Sequence, residues 1–276
     1  MSIKMVVVDM DGTFLNQDNT YNQRRFARIF EQFQARQIHF VVASGSQYQR
    51  LQNQFAPQKQ IIDFISQNGA IVHQGDDLIS VDALSEADLA EVLRIMQAFG
   101  TTAIVQKTIS GVKKTYVPAE IAAKTLANIQ RYYHAIELVP DFATISQARV
   151  NDRITKIGLT FGPTVDYQQA VTQLKTALPA SLASQNSGFQ TELIGNAGID
   201  KVTGIQQLQT RYQIETNEIM TFGDNENDLG MLQMTPWGFA MPNASPEIQQ
   251  ATRNVALADH NHDGVLATIE AQLGLD

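Results

Sequence analysis

The sequence predicts an α/β protein in two parts: a doubly wound parallel sheet and an α+β domain inserted into it. Three observations lead there. Short apolar runs rich in β-branched residues alternate with helical patterns through the first part of the chain, the rhythm of a parallel sheet with helical crossovers. That rhythm breaks near Leu84 and resumes after about residue 190, which divides the chain into a core of residues 1–83 and 191–276 and an insertion of 84–190. Four strand ends or helix starts carry polar chemistry, and all four lie outside the insertion. An insertion needs only two close chain crossings at an exposed loop.

The first element sets the rest. Met5-Val6-Val7-Val8 is too short for a buried helix and reads as a buried strand, and it runs into Asp9-Met10-Asp11-Gly12-Thr13. Side chains alternate along a strand, so Asp9 and Asp11 share a side if the strand continues through them, and Gly12 permits a sharp turn after them. Two carboxylates then stand at the carboxyl end of a buried strand, where open α/β sheets place their ligands. They repel, and a divalent cation relieves that repulsion. Taken alone, the motif reads equally well as a solvated Asp-Gly turn.

The following elements continue the pattern. Thr20 with Gln23 fits a capping box, and Phe26, Ile29, Phe30 and Phe33 share one helical face. Ile38 to Ala43 is a strand ending in Ser44-Gly45-Ser46, and a helix from about Gln47 to Phe55 follows. Ile61 to Ile65 is a third strand, and Asn68-Gly69 suggests a tight turn into a return strand at Ile71-Val72.

In the insertion, Ser85 caps a helix running to Phe99. Thr102 to Gln106 and Val112 to Val117 read as strands, and a helix from about Ala119 to His134 follows. Next come a strand at Ile154 to Phe161, a helix at Val165 to Leu178, and strands at Leu182 to Ser184 and Phe189 to Ile194, with Ser187-Gly188 between the last two. This order suggests an antiparallel sheet.

The first rhythm then returns. Asp200 caps a helix from Lys201 to about Tyr212; Ile219 to Phe222 is a strand ending in Gly223-Asp224-Asn225-Glu226-Asn227-Asp228. A helix through Met231 and Leu232, strands at Gly238 to Met241 and Val255 to Ala258, and helices at Pro246 to Thr252 and Val265 to Leu273 complete a Rossmann-like core.

Composition narrows the function. The chain has 276 residues, 43% of them hydrophobic, a formal net charge of −8 and no cysteine. Disulfides, thiolate metal sites and cysteine nucleophiles are excluded. Without a Lys/Arg cluster, a nucleic-acid partner is not expected. No run approaches the ~20 apolar residues that span a bilayer, and no leader pattern opens the chain, so the expectation is a cytoplasmic protein with no membrane partner.

The polar residues form one inventory. Two or three carboxylates hold Mg²⁺, a hydroxyl and a lysine bind phosphate oxygens, and one aspartate can act as a nucleophile toward phosphorus. Asp9-Met10-Asp11-Gly12-Thr13, Ser44, Lys201 and the Gly223 to Asp228 stretch resemble the four motifs of the haloacid dehalogenase-like phosphatases. The insertion is similar to the large cap of the Cof-type subfamily, as are Asn68-Gly69-Ala70 and Asp263-Gly264-Val265. The resemblance covers essentially the whole chain.

It implies a Mg²⁺-dependent phosphatase acting on a small phosphorylated metabolite. Asp9 would be the nucleophile and Asp11 the general acid and then base. Met10, Ser44, Gly45, Lys201 and Asn227 would lie on the phosphate. The metal would be held by Asp9, the Asp11 carbonyl and Asp224, with Asp228 in support. One departure is plain: the family often has Thr-Gly-Arg at its second motif, and this chain has Ser44-Gly45-Ser46. A phosphotransferase or mutase of the same superfamily, and a receiver-like phosphate-binding domain, are the alternative readings.

One further pattern calls for a decision. Asp259-His260-Asn261-His262-Asp263-Gly264 with Glu270 matches a calcium-binding EF-hand loop. Such a loop needs a helix before it, and Val255 to Ala258 reads as a strand, so calcium binding is not expected there.

Overall fold

A computed structural model describes residues 2–100, 103–140, 142–187 and 190–275. The chain divides into two compact units, Met1–Ile79 with Asp200–Asp276, and Ser80–Ile199.

The first unit opens with β1 (Met5–Val8), α1 (Gln23–Arg36), β2 (His39–Ala43), α2 (Tyr48–Gln54), β3 (Asp63–Ser66), β4 (Ile71–Gln74) and β5 (Asp77–Val81), the last of which straddles the boundary. The second unit contains α3 (Glu86–Phe99), β6 (Ile104–Gly111), β7 (Thr115–Pro118), α4 (Ala123–Ile129), β8 (Ile136–Val139), α5 (Gln147–Val150), β9 (Ile154–Phe161), α6 (Tyr167–Ala177), β10 (Leu182–Asn186) and β11 (Thr191–Asn196). The first unit resumes with α7 (Lys201–Tyr212), β12 (Ile219–Gly223), α8 (Leu229–Gln233), β13 (Trp237–Ala240), α9 (Pro246–Ala251), β14 (Asn254–Val255) and α10 (Gly264–Leu273).

In the first unit eight strands form one sheet in the order β14-β13-β12-β1-β2-β3-β4-β5. From β14 to β3 all neighbours are parallel, and β3 and β4 form an antiparallel hairpin. The central position of β1 explains its unbroken valines, since both faces are covered. Val6 and Val8 pack with Phe26, Ile29 and Phe33 of α1 and Leu266 and Ile269 of α10. Met5 and Val7 point the other way, onto Ile205 and Leu208 of α7 and Met231 of α8. This is the expected α/β class.

The second unit is a six-stranded sheet in the order β10-β11-β9-β6-β7-β8. It is antiparallel except for β7 and β8, which run parallel. Leu89, Val92 and Met96 of α3 and Leu174 of α6 pack with Ile157, Leu159 and Phe161 on one face.

Several expectations shift. The sequence pattern places residues 191–199 in the core, but β11 pairs with β9 and β10 and belongs to the second unit. The α1 cap is Asn22, which accepts from Arg25 N, while Thr20 is bonded to Asn16 Oδ1. Asn is the better N-cap, and Thr20 is already committed to its own turn. The helix expected over Ala119 to His134 is only α4, because the residues after it turn into β8. The strand start at Thr102, the turn residue Gly188 and the strand start at Phe189 lie outside the described residues.

Candidate active site

Parallel pairing brings three strand ends side by side. β1 lies between β12 and β2, with Val8 in register with both Phe222 and Val42. The residues that leave this edge are Asp9, Asp224 and Ser44. β1 stops at Val8, and the chain turns through Gly12 at φ 85°, so alternation does not continue to Asp11. Asp9 and Asp11 consequently face different partners.

Asp9 enters a buried acidic cluster. Carboxylate oxygens of Asp9, Asp224 and Asp228 lie within 4.8 Å of one another. Lys201 is the first residue of α7, whose N-cap Asp200 accepts from Thr203 N. Its side chain is fully buried, and Nζ donates to Asp9 Oδ1 and Asp228 Oδ1, each at 2.5 Å. Asp228 Oδ2 accepts from the backbone N–H groups of Asp224 at 3.0 Å and Asn225 at 3.1 Å. Asp224 Oδ1 accepts from Thr13 Oγ1 at 2.9 Å.

Electrostatics follow from this crowding. Burial, and then Asp228, raise the Asp9 carboxyl well above its ordinary value, with Lys201 opposing. Asp224 is pushed up to about 6, first by burial and then by Asp228. Burial disfavours the Lys201 ammonium, but Asp228 and Asp9 outweigh it and raise its pKa. Three carboxylates against one ammonium leave two negative charges uncompensated, the deficit a divalent cation offsets. Both Asp228 oxygens are already engaged, whereas Asp9 Oδ2 and Asp224 Oδ2 accept from no other side chain in the bonds described above. The donor set is all oxygen and fits magnesium.

Asp11 stands apart, with its side chain 48% exposed. Its carboxylate is held by Arg50 of α2, Nη1 to Oδ2 at 2.7 Å and Nη2 to Oδ1 at 2.6 Å. Sequence reasoning missed Arg50. Its only signal was the Ser46 departure, followed one helical turn later by an arginine.

The remaining predicted residues gather around Asn68. Ser44 is buried, its Oγ accepts from Ser46 N at 3.1 Å, and its carbonyl accepts from Asn68 N at 3.0 Å. A Cβ on Gly45 would lie 3.0 Å from Asn68 Oδ1, and that same oxygen accepts from Asn227 Nδ2 at 3.3 Å. Gln67, Asn68 and Gly69 have φ values of 52°, 57° and 101°, three left-handed residues in a row. At Gly69 a Cβ would sit 1.8 Å from the Asp200 carbonyl oxygen, so the turn presses on the cap of α7. The Met10 side chain is fully buried in the apolar core, so any contact it makes with the phosphate would be through its backbone.

The calcium-like loop is otherwise employed. Arg25 Nη2 bonds Glu270 Oε2 at 2.5 Å and its Nη1 meets Asp263 Oδ2 at 3.3 Å, while Asn22 Nδ2 donates to that same Asp263 oxygen. The helix that should precede such a loop is a strand, β14.

Carboxylates, a buried lysine and an arginine gathered where parallel strands end define an enzyme that handles an anionic group. The sequence model of the haloacid dehalogenase-like hydrolases matches residues 6–269. The chain is 33% identical over 276 residues to a 5-amino-6-(5-phospho-D-ribitylamino)uracil phosphatase of Escherichia coli, covering 99% of this chain and 97% of that one. A Bacillus subtilis phosphatase with the same substrate in its name is 22% identical over 287 residues, covering 98% of each chain. Among solved structures, a Streptococcus mutans protein matches with a TM-score of 0.87 at 28% identity, covering 99% of this chain and 100% of that one. The chain belongs to the haloacid dehalogenase-like hydrolases, in their Cof-type group, and is a phosphoric monoester hydrolase.

Among the described residues no helix is long and apolar enough to cross a membrane.

Proposed function

We propose that this chain is a Mg²⁺-dependent phosphatase that hydrolyses a small phosphorylated metabolite through an aspartyl-phosphate on Asp9. The observation that carries the reading is the cluster of Asp9, Asp224 and Asp228 around the buried Lys201 ammonium. Phosphoryl transfer needs chiefly positioning and neutralised charge; this cluster would position a cation and the phosphate, and the cation would supply most of the neutralising charge.

Magnesium, held by Asp9, the Asp11 carbonyl and Asp224 with Asp228 in support, would supply charge neutralisation on the phosphate oxygens. Asp9 attacks phosphorus as the P–O bond to the leaving group breaks, and Asp11 delivers a proton to that leaving oxygen. Asp11 then takes a proton from water, whose oxygen attacks the aspartyl-phosphate and frees inorganic phosphate. Burial and the Asp228 carboxylate disfavour an ionised Asp9, and the Lys201 ammonium bonded to its Oδ1 opposes them. Ser44, Gly45, Lys201 and Asn227 bind the phosphate oxygens, and Met10 contributes its backbone. The inserted unit carries none of these residues, so its part in the reading is substrate selectivity rather than chemistry.

The test measures phosphate release from a panel of sugar phosphates and related esters, with and without Mg²⁺. 5-Amino-6-(5-phospho-D-ribitylamino)uracil heads the panel because the Escherichia coli and Bacillus subtilis relatives described above carry it in their names. Asp9→Asn should abolish turnover, and retained turnover refutes the mechanism. Phosphoryl transfer to an added sugar hydroxyl in preference to water would instead make the enzyme a phosphotransferase.

A further inference from the structure

We infer that Arg50 is a positioning residue, one that holds the Asp11 carboxylate in place for its work on the leaving group; this rests on the acid–base role proposed for Asp11. Asp11 has left the strand, and its side chain is about half exposed. Without a partner it would sample several rotamers. Arg50 removes that freedom. Two parallel bonds, 2.7 and 2.6 Å, fix both the place and the plane of the carboxylate, which a single hydrogen bond cannot do.

The arginine is itself fixed. Its side chain is 7% exposed, and Nη1 also donates to Ser46 Oγ at 2.5 Å. It rides on α2, where Leu51 is fully buried in the core and the Tyr48 hydroxyl donates to Gly75 O at 2.7 Å. Ser46 thus has a use: its small side chain leaves the guanidinium room and accepts a bond from it. A lysine would keep the charge but lose the planar fork. The fork is compatible with both stages of the reaction, because a protonated carboxyl still offers a lone pair on each oxygen.

The readout must separate an effect through Asp11 from an effect on phosphate binding or folding. An alkyl phosphate needs its leaving oxygen protonated, whereas a nitrophenyl phosphate does so far less. A residue acting through Asp11 therefore changes the ratio of the two kcat/KM values, and a purely structural residue lowers both alike. The experiment compares Arg50→Ala, Arg50→Lys, Ser46→Ala and Asp11→Asn with wild type on both substrates, with melting temperatures recorded.

Arg50→Ala should raise the aryl-to-alkyl ratio about tenfold or more, in the direction of Asp11→Asn but to a smaller extent. Arg50→Lys should share most of that change, and Ser46→Ala a lesser part. An equal fall on both substrates, no fall, or a rise in alkyl turnover on losing Arg50 would overturn the proposal. If Arg50→Ala does not fold, Arg50→Lys and Ser46→Ala decide it by the same ratio. If Asp11→Asn itself leaves the ratio unchanged, the acid–base reading of Asp11 has failed, a result distinct from failure of the Arg50 assignment.

Discussion

Replacing Lys201 with Met would strip the acidic cluster of its ammonium while keeping a side chain of similar length. Lys201 and Asp228 side chains are fully buried, and that of Asp9 is 9% exposed. Leaving one partner of a buried ion pair alone costs about 3–5 kcal/mol. Protonation of the orphaned carboxyl caps the penalty. Starting from an ordinary value of 3.8, keeping a proton on one aspartate at pH 7 spans about 3 pH units at about 1.4 kcal/mol each, or about 4 kcal/mol. The metal-free variant should therefore be less stable at pH 7 by at most about 4 kcal/mol, because the raised Asp9 carboxyl already carries part of that cost in the wild type.

The deficit should also shrink on acidification, by up to about 1.4 kcal/mol per pH unit. The folded variant would hold a proton that the unfolded chain lacks above pH 4, so its stability rises as pH falls. Asp9 is already raised in the wild type, so the difference between the two curves isolates Lys201. The assay is urea unfolding in chelator at pH 5, 6 and 7. The one tryptophan, Trp237, lies half-buried in β13 and donates from Nε1 to Asn217 O at 3.1 Å, so its fluorescence reports the first unit. A deficit under about 1 kcal/mol at pH 7, or one unchanged at pH 5, would refute the reasoning.

Three further outcomes are expected. Chelation should abolish phosphate release and Mg²⁺ restore it. Titration calorimetry should find Mg²⁺ affinity falling as pH drops through about 6, because Asp224 must lose its proton to ligate; equal affinity at pH 5 and 7 would remove Asp224 from the metal site. Gly69→Ala should destabilise the protein by more than about 3 kcal/mol and depress turnover, since its Cβ would meet the Asp200 carbonyl at 1.8 Å. Gly198→Ala, at φ 80° where an added Cβ would meet nothing within 4 Å, should cost only about 1 kcal/mol of backbone strain; comparable melting temperatures for the two variants would contradict this.

What the sequence revealed had local signatures. The α1 stripe of Phe26, Ile29, Phe30 and Phe33 repeats with the helical period, and those four residues are the ones buried. Asp200 as a cap, and with it the start of α7 at Lys201, follows from short-range chemistry. What escaped depends on partners far along the chain. The edge strand β8 forms because β7 is present to pair with it. The pattern of Thr191–Asn196 announces a strand but not which sheet it joins. The Asp11–Arg50 pair spans 39 residues of sequence and no period predicts it. Alternation misled at Asp9 and Asp11, because the strand ends before either of them.

The way the second unit begins and ends bears on how the molecule assembles. Asn196 Nδ2 donates to Asp82 Oδ1, and to the Ala83 carbonyl at 3.1 Å, so the incoming segment is stitched to the end of β11. From Ser80 to Ile199 the chain is a long excursion between β5 and α7. Once that excursion has folded, its ends are already met, and the first unit closes over a gap of only a few residues. Loop closure scales with the logarithm of length, so an effective shortening of roughly thirtyfold is worth about 3 kcal/mol. Defects in the interior of the excursion would thus delay the meeting of Asp9 with Lys201 while altering neither residue, and early folding of the middle of the chain makes its two distant ends neighbours.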